Sequence, residues 1–567
     1  MNKKNNITSI LNNATNLTDI FRHYKENFPN KLFLFKKQKG KWKGRKFLET
    51  SQNVIKIVNV LQKMGIQKGD RVFLLSSNRI EWVEFDIAIM LAGAITVPSF
   101  VTNNSEDNLF IIKDCKPKII IFENKIIMDN NKDILKIIDK SKIISIEENK
   151  NYLCYKKILL EKEKKIKLPK VVKEDISTII YTSGTSGNPK GVILSHNALL
   201  HNLKAALQLL NEFRIEHERF ISFLPLSHSY ERMAGLYFPL LINAEIYFCS
   251  SLDKLFVEIK EVKPTIFSAV PRLYENIYKK IKSKINYSGK FERLIMKTIF
   301  YYVEDVKKSF ITNLFGNIFL KFFVQKKIKE NFGGKIKVLI SGGAALSPQI
   351  GIFFNRLGFC LLQGYGQTEA APLISCNTKS LNDPSTVGFP VKDVQVRISN
   401  ENEILVKGDN VMVGYWKKTK LTNDTLKNKW LFTGDLGYFD DIGRLVINGR
   451  KKDLIVTSGG DNISAQKIET LLTEQIEIEQ AVVFGDNKPF LGAIIVSDKK
   501  YDSKLIKKVI DKANQDLNSI EKIRKFLLFQ EPFNYEDGLL TQTHKIKRDK
   551  VLKKFSKDID NLYSTLK

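Results

Sequence analysis

The sequence predicts an α/β protein: a large, multi-subdomain N-terminal domain of layered sheets and helices, then a small α+β C-terminal domain. Three observations predict it. At 567 residues the chain far exceeds what one hydrophobic core can organise, so at least two domains are expected. Short β-branched runs alternate with helical periodicity through the first half, which points to layered, largely parallel sheets. After Gly449 the pattern changes to a charged run and then closely spaced strand and helix signals, enough for a separate domain of residues 450–567 beside one of residues 1–449.

Taken in order, Val72 to Leu75 reads as a strand, and the run through Trp82, Ala88 and Leu91 as the helix after it. Ile119 to Phe122 and Ile176 to Tyr181 are further buried strands. Ser195 can cap a helix with Leu199, Leu203, Leu207 and Leu210 on one face. Leu273 to Gly333 has helical period and is rich in Lys, Phe and Tyr. Within it the 310–332 portion interleaves phenylalanines with lysines, as a core-facing helix or an amphipathic membrane-docking face would. Lys337 to Ile340 is another apolar strand, running into Ser341-Gly342-Gly343. In the C-terminal part, Leu454–Val456, Ala481–Phe484 and Ala493–Val496 read as strands and Lys504–Leu517 as helix.

The most informative stretch is Tyr181-Thr-Ser-Gly-Thr-Ser-Gly-Asn-Pro-Lys190-Gly-Val192. A loop of glycines and hydroxyls between a strand and a helix turns several backbone N–H groups toward one point. Such a nest binds oxyanions, and the hydroxyls of Thr182, Ser183, Thr185 and Ser186 with Lys190 add donors beside Gly184 and Gly187. The spacing differs from the common G-x-x-x-x-G-K-[ST] nucleotide loop. Four motifs follow. Leu224-Pro-Leu-Ser-His-Ser-Tyr-Glu-Arg232 puts His228 and Glu231 where a loop enters a helix. Gln363-Gly-Tyr-Gly-Gln-Thr-Glu369 sets Tyr365 between Gly364 and Gly366, a flat ring beside bare backbone that suits a purine, followed by a Thr368/Glu369 pair that suits Mg²⁺. Phe432-Thr-Gly-Asp435 offers a carboxylate on a tight turn, able to accept from two ribose hydroxyls. Gly449-Arg450-Lys451-Lys452-Asp453 opens the second domain, and Leu540-Thr-Gln-Thr-His-Lys545 places a lysine on a late loop.

These motifs, in this order, resemble the adenylate-forming superfamily of acyl-CoA synthetases, luciferases and peptide-synthetase adenylation domains, over nearly the whole chain. Within it the chain is most similar to bacterial long-chain fatty acyl-CoA synthetases, through Ala269-Val-Pro-Arg-Leu-Tyr-Glu275, Leu339-Ile-Ser-Gly-Gly-Ala-Ala-Leu346 and Ile455-Val-Thr-Ser-Gly-Gly-Asp-Asn-Ile463. The resemblance implies that ATP, Mg²⁺ and coenzyme A are used. A carboxylate attacks the α-phosphate, releasing pyrophosphate, and the CoA thiol then displaces AMP. It implies that the Thr182–Lys190 loop cradles phosphates, that Glu369 holds Mg²⁺, and that adenine lies by Tyr365. Asp435 and Arg450 would hold the ribose, and His228 would sit at the mouth of the acyl pocket. Lys545 matches a mobile catalytic lysine, Lys452 a hinge about which the small domain turns between steps, and Gly459 with Gly460 the approach of the pantetheine arm. Three positions depart from the family pattern: Gln542 for a frequent proline, His544 before the lysine, and Asn402 where Gly-Glu is common.

Composition narrows the class. Lys and Arg number 91 against 61 Asp and Glu, a formal charge of +30 spread along the chain rather than gathered with aromatic platforms, so nucleic acid is not the expected partner. Diffuse positive charge suits a polyanionic substrate or reversible contact with a membrane surface, and follows equally from a Lys-, Asn- and Ile-rich composition. The five cysteines have no paired spacing, which suits a reducing compartment and argues against zinc. No stretch reaches the ~18 apolar residues a spanning helix needs, and the N-terminus lacks the apolar segment of a signal peptide. The expected location is cytoplasmic, at most peripheral on the inner membrane face, with the oligomeric state open. Two alternatives remain beside a fatty acid:CoA ligase. One is an acyl- or aryl-adenylate-forming ligase serving a carrier protein or another acceptor. The other is a degenerate lipid- or nucleic-acid-binding protein, against which the retention of Lys190, Glu369, Asp435 and Lys545 argues.

Overall fold

The computed structural model describes residues 3–162, 167–182, 189–287, 325–534, 537–541 and 545–564. Two compact units divide the chain. One holds residues 1–271, 288–396 and 406–431; the other holds 272–287, 397–405 and 432–567.

In the first unit an eight-stranded sheet has the order Gly414–Tyr415, Lys190–Ser195, Ile176–Thr182, Ile95–Ser99, Arg71–Leu75, Ile119–Phe122, Ile143–Ser145, Leu153–Cys154. Its inner strands run parallel and are buried along nearly their whole length, as strands covered on both faces are. Phe73, Leu75, Val97, Ile120, Phe122 and Ile179 form one core with the helix Ser105–Cys115. A five-stranded sheet runs Ile266–Ala269, Val338–Ser341, Leu361–Gly366, Leu373–Cys376, Phe389–Pro390. A four-stranded sheet joins Arg219–Ser222, Glu245–Phe248, Leu32–Gln38 and Lys41–Lys46.

One expectation is corrected here. The Gly/Ser loop does not lead from a strand into a helix. It leads into a second strand, Lys190–Ser195, that pairs antiparallel with the first, Thr182 opposite Lys190 and Ile180 opposite Val192. The cause is the run Val192-Ile193-Leu194, whose branched side chains favour a pleated, buried surface. The helix His196–Leu209 begins only afterwards, with Ser195 Oγ accepting from the Ala198 N–H at 3.2 Å, and Leu199, Leu203, Leu207 and Leu210 are all buried as expected.

The second unit carries the hairpin Leu454–Val456/Asn462–Ser464 and a three-stranded sheet of Gln480–Phe484, Leu491–Val496 and Ile523–Phe529. The helices Ala465–Thr473 and Ser503–Ala513 close one face of that sheet over Ile468, Leu472, Ile495, Ile506 and Ile510. The second helix stops at Ala513, short of the expected Leu517, because a 3₁₀ turn follows at Asn514–Asp516. Helix Pro271–Tyr287, which carries the Val-Pro-Arg-Leu-Tyr-Glu signature, groups with this unit from Arg272 onward, and Lys279 Nζ donates to the Ile478 carbonyl at 2.9 Å.

Of the proposed membrane-docking segment, residues 310–324 lie outside the described residues. Its last residue, Phe332, is core: its ring lies 6.1 Å from that of Phe267 and 5.3 Å from that of Phe359. Among the described residues no helix is long and apolar enough to cross a membrane.

Candidate active site

Ser183, Gly184, Thr185, Ser186 and Gly187 lie outside the described residues, as do Gln542 and His544. The two ends of the loop are described. Thr182 closes the first strand, and among the described residues its buried hydroxyl has no hydrogen-bond partner. Such a group costs free energy unless something satisfies it, which is what a bound oxyanion or metal-held oxygen would do. Lys190 opens the second strand. Its ammonium donates to the Tyr415 hydroxyl at 2.7 Å, lies 4.3 Å from the centre of that ring, and stands 3.2 Å from Glu369 Oε1. The Tyr415 hydroxyl in turn donates to Glu369 Oε1 at 2.8 Å. Burial and the Glu369 carboxylate both push the Tyr415 phenol well above its usual range, so it stays a donor.

Thr368 and Glu369 sit on a buried 3₁₀ turn, Thr368–Ala370. Two buried amides pin it: the Ala370 carbonyl accepts from Asn202 at 3.1 Å and from Asn410 at 3.3 Å. The Glu369 carbonyl accepts from the Met412 N–H at 2.8 Å. Thr368 Oγ1 lies 3.0 Å from Ser229 Oγ, which joins this turn to the His228 motif. Sequence reasoning missed Tyr415, Asn202 and Asn410. Their partners lie far along the chain, so no local pattern marks them.

Tyr365 is buried on the strand Leu361–Gly366. Gly366 has a reason of its own to be bare: a Cβ there would stand 1.8 Å from the Pro372 carbonyl oxygen. At Gly364 the nearest atom to such a Cβ is 3.5 Å away, ordinary contact.

His228 caps the short helix Ser229–Glu231, its Nδ1 accepting from the Tyr230 N–H at 3.1 Å, and its ring centre lies 6.5 Å from that of Phe100. Asn78 holds the approach to it, donating to the Leu224 carbonyl at 2.6 Å and accepting from the Leu226 N–H at 2.8 Å. Glu231 is buried with Ser222 Oγ donating to it at 2.7 Å, and desolvation lifts its carboxyl from 4.5 to about 8. The folded protein therefore holds this proton where the unfolded chain has lost it, so the contribution of Glu231 to stability is complete below about pH 4.5 and is lost as pH rises to about 8. Glu231→Gln keeps the shape without the charge. Wild type should lose stability relative to this variant by about 1.4 kcal/mol per pH unit across that window. Denaturant midpoints at pH 5, 6 and 7 check it, and a constant difference between the two proteins contradicts it.

The second unit assembles the remaining polar residues. Asp435 and Arg450 face each other across the strands Trp430–Phe439 and Leu445–Arg450, with Arg450 Nε 2.9 Å from the buried Asp435 Oδ1. The bend before Asp435 is set by Gly434 at φ +72° and held by Glu403, which accepts from the Gly434 N–H at 3.0 Å. Asn402 adopts φ +60°, a left-handed turn that asparagine tolerates in place of glycine. Lys545 is tied to Thr541 by two hydrogen bonds. Its N–H donates to Thr541 Oγ1 at 3.0 Å, its carbonyl accepts from the Thr541 N–H at 2.7 Å, and Leu540 bridges Ile546. Its ammonium is brought down to about 8, first by desolvation and then by Arg450, with Asp435 opposing. By solvent accessibility the residue is exposed. Lys452 is exposed on the 3₁₀ turn Lys451–Asp453. Gly459 and Gly460 stand elsewhere, in the hairpin turn, where Gly460 has φ +84° and nothing within 4 Å of a Cβ position.

The first unit thus holds a lysine, a tyrosine and a buried carboxylate in contact, and the second a carboxylate–arginine pair. The chain belongs to the AMP-binding enzyme family: the family model matches residues 21–416, and the AMP-binding enzyme C-terminal domain matches residues 452–567. It is 29% identical to the long-chain-fatty-acid–CoA ligase FadD15 of Mycobacterium bovis, over 96% of each chain. It is 28% identical to long chain acyl-CoA synthetase 4 of Arabidopsis thaliana, over 97% of this chain and 92% of that one. In fold it resembles the adenylation domain of a carboxylate reductase from Mycobacterium chelonae, with a TM-score of 0.81 and 18% identity over 99% of this chain and 93% of that one.

Proposed function

We propose that the protein is an AMP-forming ligase joining a long-chain fatty acid to coenzyme A. The Lys190–Tyr415–Glu369 assembly, with Thr182 opposite Lys190 in the strand pair, carries the reading. The Val270-Pro-Arg-Leu-Tyr-Glu275 signature and the long-chain specificity in the names of both relatives support the acyl substrate.

The donor set fits Mg·ATP. Among the described residues no three His, Cys, Asp or Glu side chains cluster as a metal site, which suits Mg²⁺, an ion held by one or two carboxylates together with substrate phosphates. Glu369 would hold it, and Thr182 and Lys190 would meet the phosphates. Bound there, Mg²⁺ supplies neutralisation of the charge that leaves with pyrophosphate. Tyr365 offers a face to adenine, and Asp435 with Arg450 offers a carboxylate to the ribose hydroxyls. Lys545 supplies positive charge where the carboxylate attacks, and His228 lines the acyl entry. Gly459 and Gly460 leave backbone accessible to the pantetheine arm.

The mobile portion is proposed to begin at Arg450 with Lys452 as its hinge, in keeping with the C-terminal family match from residue 452. With a net charge of +30, reversible contact with anionic membrane is also proposed, and it should weaken as salt rises.

Each buried methylene contributes about 0.8 kcal/mol, so pocket depth alone can select chain length. AMP release measured with C2 to C18 acids plus CoA should be fastest, by kcat/KM, for the long acids. A maximum at acetate or benzoate contradicts the proposal. Long-chain turnover with a carrier-protein thiol but not with CoA points to the alternative acceptor.

A further inference from the structure

Tyr415 lies in no motif recognised from the sequence, yet its hydroxyl touches both charged groups assigned to the phosphate end of the site. Its placement is fixed by backbone on both sides. The strand Gly414–Tyr415 pairs antiparallel with Lys190–Ser195, Tyr415 opposite Val192, which puts residue 190 on the diagonal of the same face. The flanking bonds, Val413 N–H to the Ile193 carbonyl at 2.9 Å and Trp416 N–H to the Gly191 carbonyl at 2.7 Å, hold that register. Met412, three residues earlier, donates to the Glu369 carbonyl, so one short segment is tied to both the lysine strand and the acidic turn. The Tyr415 N–H is itself held by Thr422 Oγ1 at 2.9 Å.

We propose that Tyr415 is a positioning residue for nucleotide binding, its hydroxyl bridging Lys190 and Glu369 so that the carboxylate is already oriented when the metal–nucleotide complex arrives. The proposal rests on the assignment of Glu369 to Mg²⁺. An ammonium 3.2 Å from a carboxylate competes with the partners each needs in the reaction. The phenol, fixed by its strand, accepts from one and donates to the other. When Lys190 turns to the phosphates, the Tyr415 O–H still holds Glu369 Oε1 and leaves Oε2 for the metal.

Tyr415→Phe keeps the ring beneath the ammonium and deletes the bridge. Binding of ATP is measured by calorimetry without fatty acid, once with Mg²⁺ and once with EDTA, for wild type, Tyr415→Phe, Glu369→Gln and the double variant. Loss of a hydrogen bond to a charged group predicts about tenfold weaker binding of MgATP by Tyr415→Phe. Metal-free ATP should bind it as it binds wild type, and the double variant should be no worse than Glu369→Gln. Equal weakening in both conditions, or none in either, overturns the proposal, because a merely structural tyrosine has no reason to act only when the metal is present. If Glu369→Gln removes the advantage of Mg²⁺ and Tyr415→Phe does not reduce it, the role of Tyr415 fails alone. If Glu369→Gln leaves that advantage intact, the metal assignment fails and the Tyr415 proposal with it.

Discussion

Lys545→Ala should abolish acyl-adenylate formation while leaving the conversion of supplied acyl-adenylate and CoA to thioester largely intact. The expectation follows from what each half-reaction asks of the residue. In adenylation an anionic carboxylate attacks an anionic phosphate, and a preorganised ammonium stabilises the charge that gathers there. Losing such a group costs on the order of 10²–10³ in rate or more. Thioester formation brings in a thiol nucleophile and is expected to use a different orientation of the C-terminal portion. The local electrostatics add a pH signature. With Arg450 and desolvation bringing the ammonium to about 8, Lys545 carries its proton at pH 7 and gives it up not far above. Adenylation by the wild type should therefore fall as pH rises through about 8, before an ordinary lysine would titrate, while the thioester step should not follow it. Lys452→Pro, which would stiffen the proposed hinge, should show the opposite imbalance, with thioester formation suffering more. Equal loss of both half-reactions in Lys545→Ala contradicts the division of labour and makes the lysine a folding or CoA-binding residue.

How much of this was legible in the sequence depended on the range of the interactions. Strands such as Ile119–Phe122 and Leu454–Val456 were readable to the residue, because an unbroken β-branched run has few other uses in an α/β protein. The cap of the helix at Ser195 was readable for the same local reason. The hairpin that carries Lys190 was not, since Gly191 reads as part of the loop until its strand is seen paired; a Cβ there would stand 2.8 Å from Ile179 Cγ2. Motif residues were recognisable as chemistry, but their partners were not. Tyr415 lies 225 positions from Lys190 and 46 from Glu369, and only the edge pairing of a two-residue strand brings them together. Asn78, Asn202 and Asn410 hold loops by side-chain bonds to backbone, and no spacing rule in a single sequence announces them. Asp435 and Arg450 were expected at one ribose through the family resemblance, but their direct ion pair depends on the register of two strands, which includes a shift between Leu436 and Gly437.

Arg232 shows the same dependence, and breaking its partnership should produce a large loss of stability. Its guanidinium is buried against the Asp86 carboxylate and donates to Thr178 Oγ1 at 2.7 Å. Asp86 also accepts from Tyr237 at 2.7 Å and from Thr96 at 2.8 Å, so both charges sit in a nearly complete set of donors and acceptors. The rings of Trp82 and Tyr237, with centres 5.4 and 5.5 Å from the guanidinium carbon, close the site to water. Thr178 belongs to the strand that ends at Thr182, where the Gly/Ser loop begins, and Arg232 follows the helix capped by His228. The pair thus ties together two parts of the candidate site. Removing one partner strands the other charge in a medium that cannot solvate it, at a cost of about 3–5 kcal/mol. Asp86→Leu and Arg232→Met should each lower the unfolding free energy, read from denaturant midpoints and slopes, by that amount. The double variant should recover much of the loss, because it leaves no unpaired charge behind. High salt should not rescue either single variant, since a buried pair lies beyond the reach of screening ions. Additive losses in the double variant would show that the two residues act through packing alone.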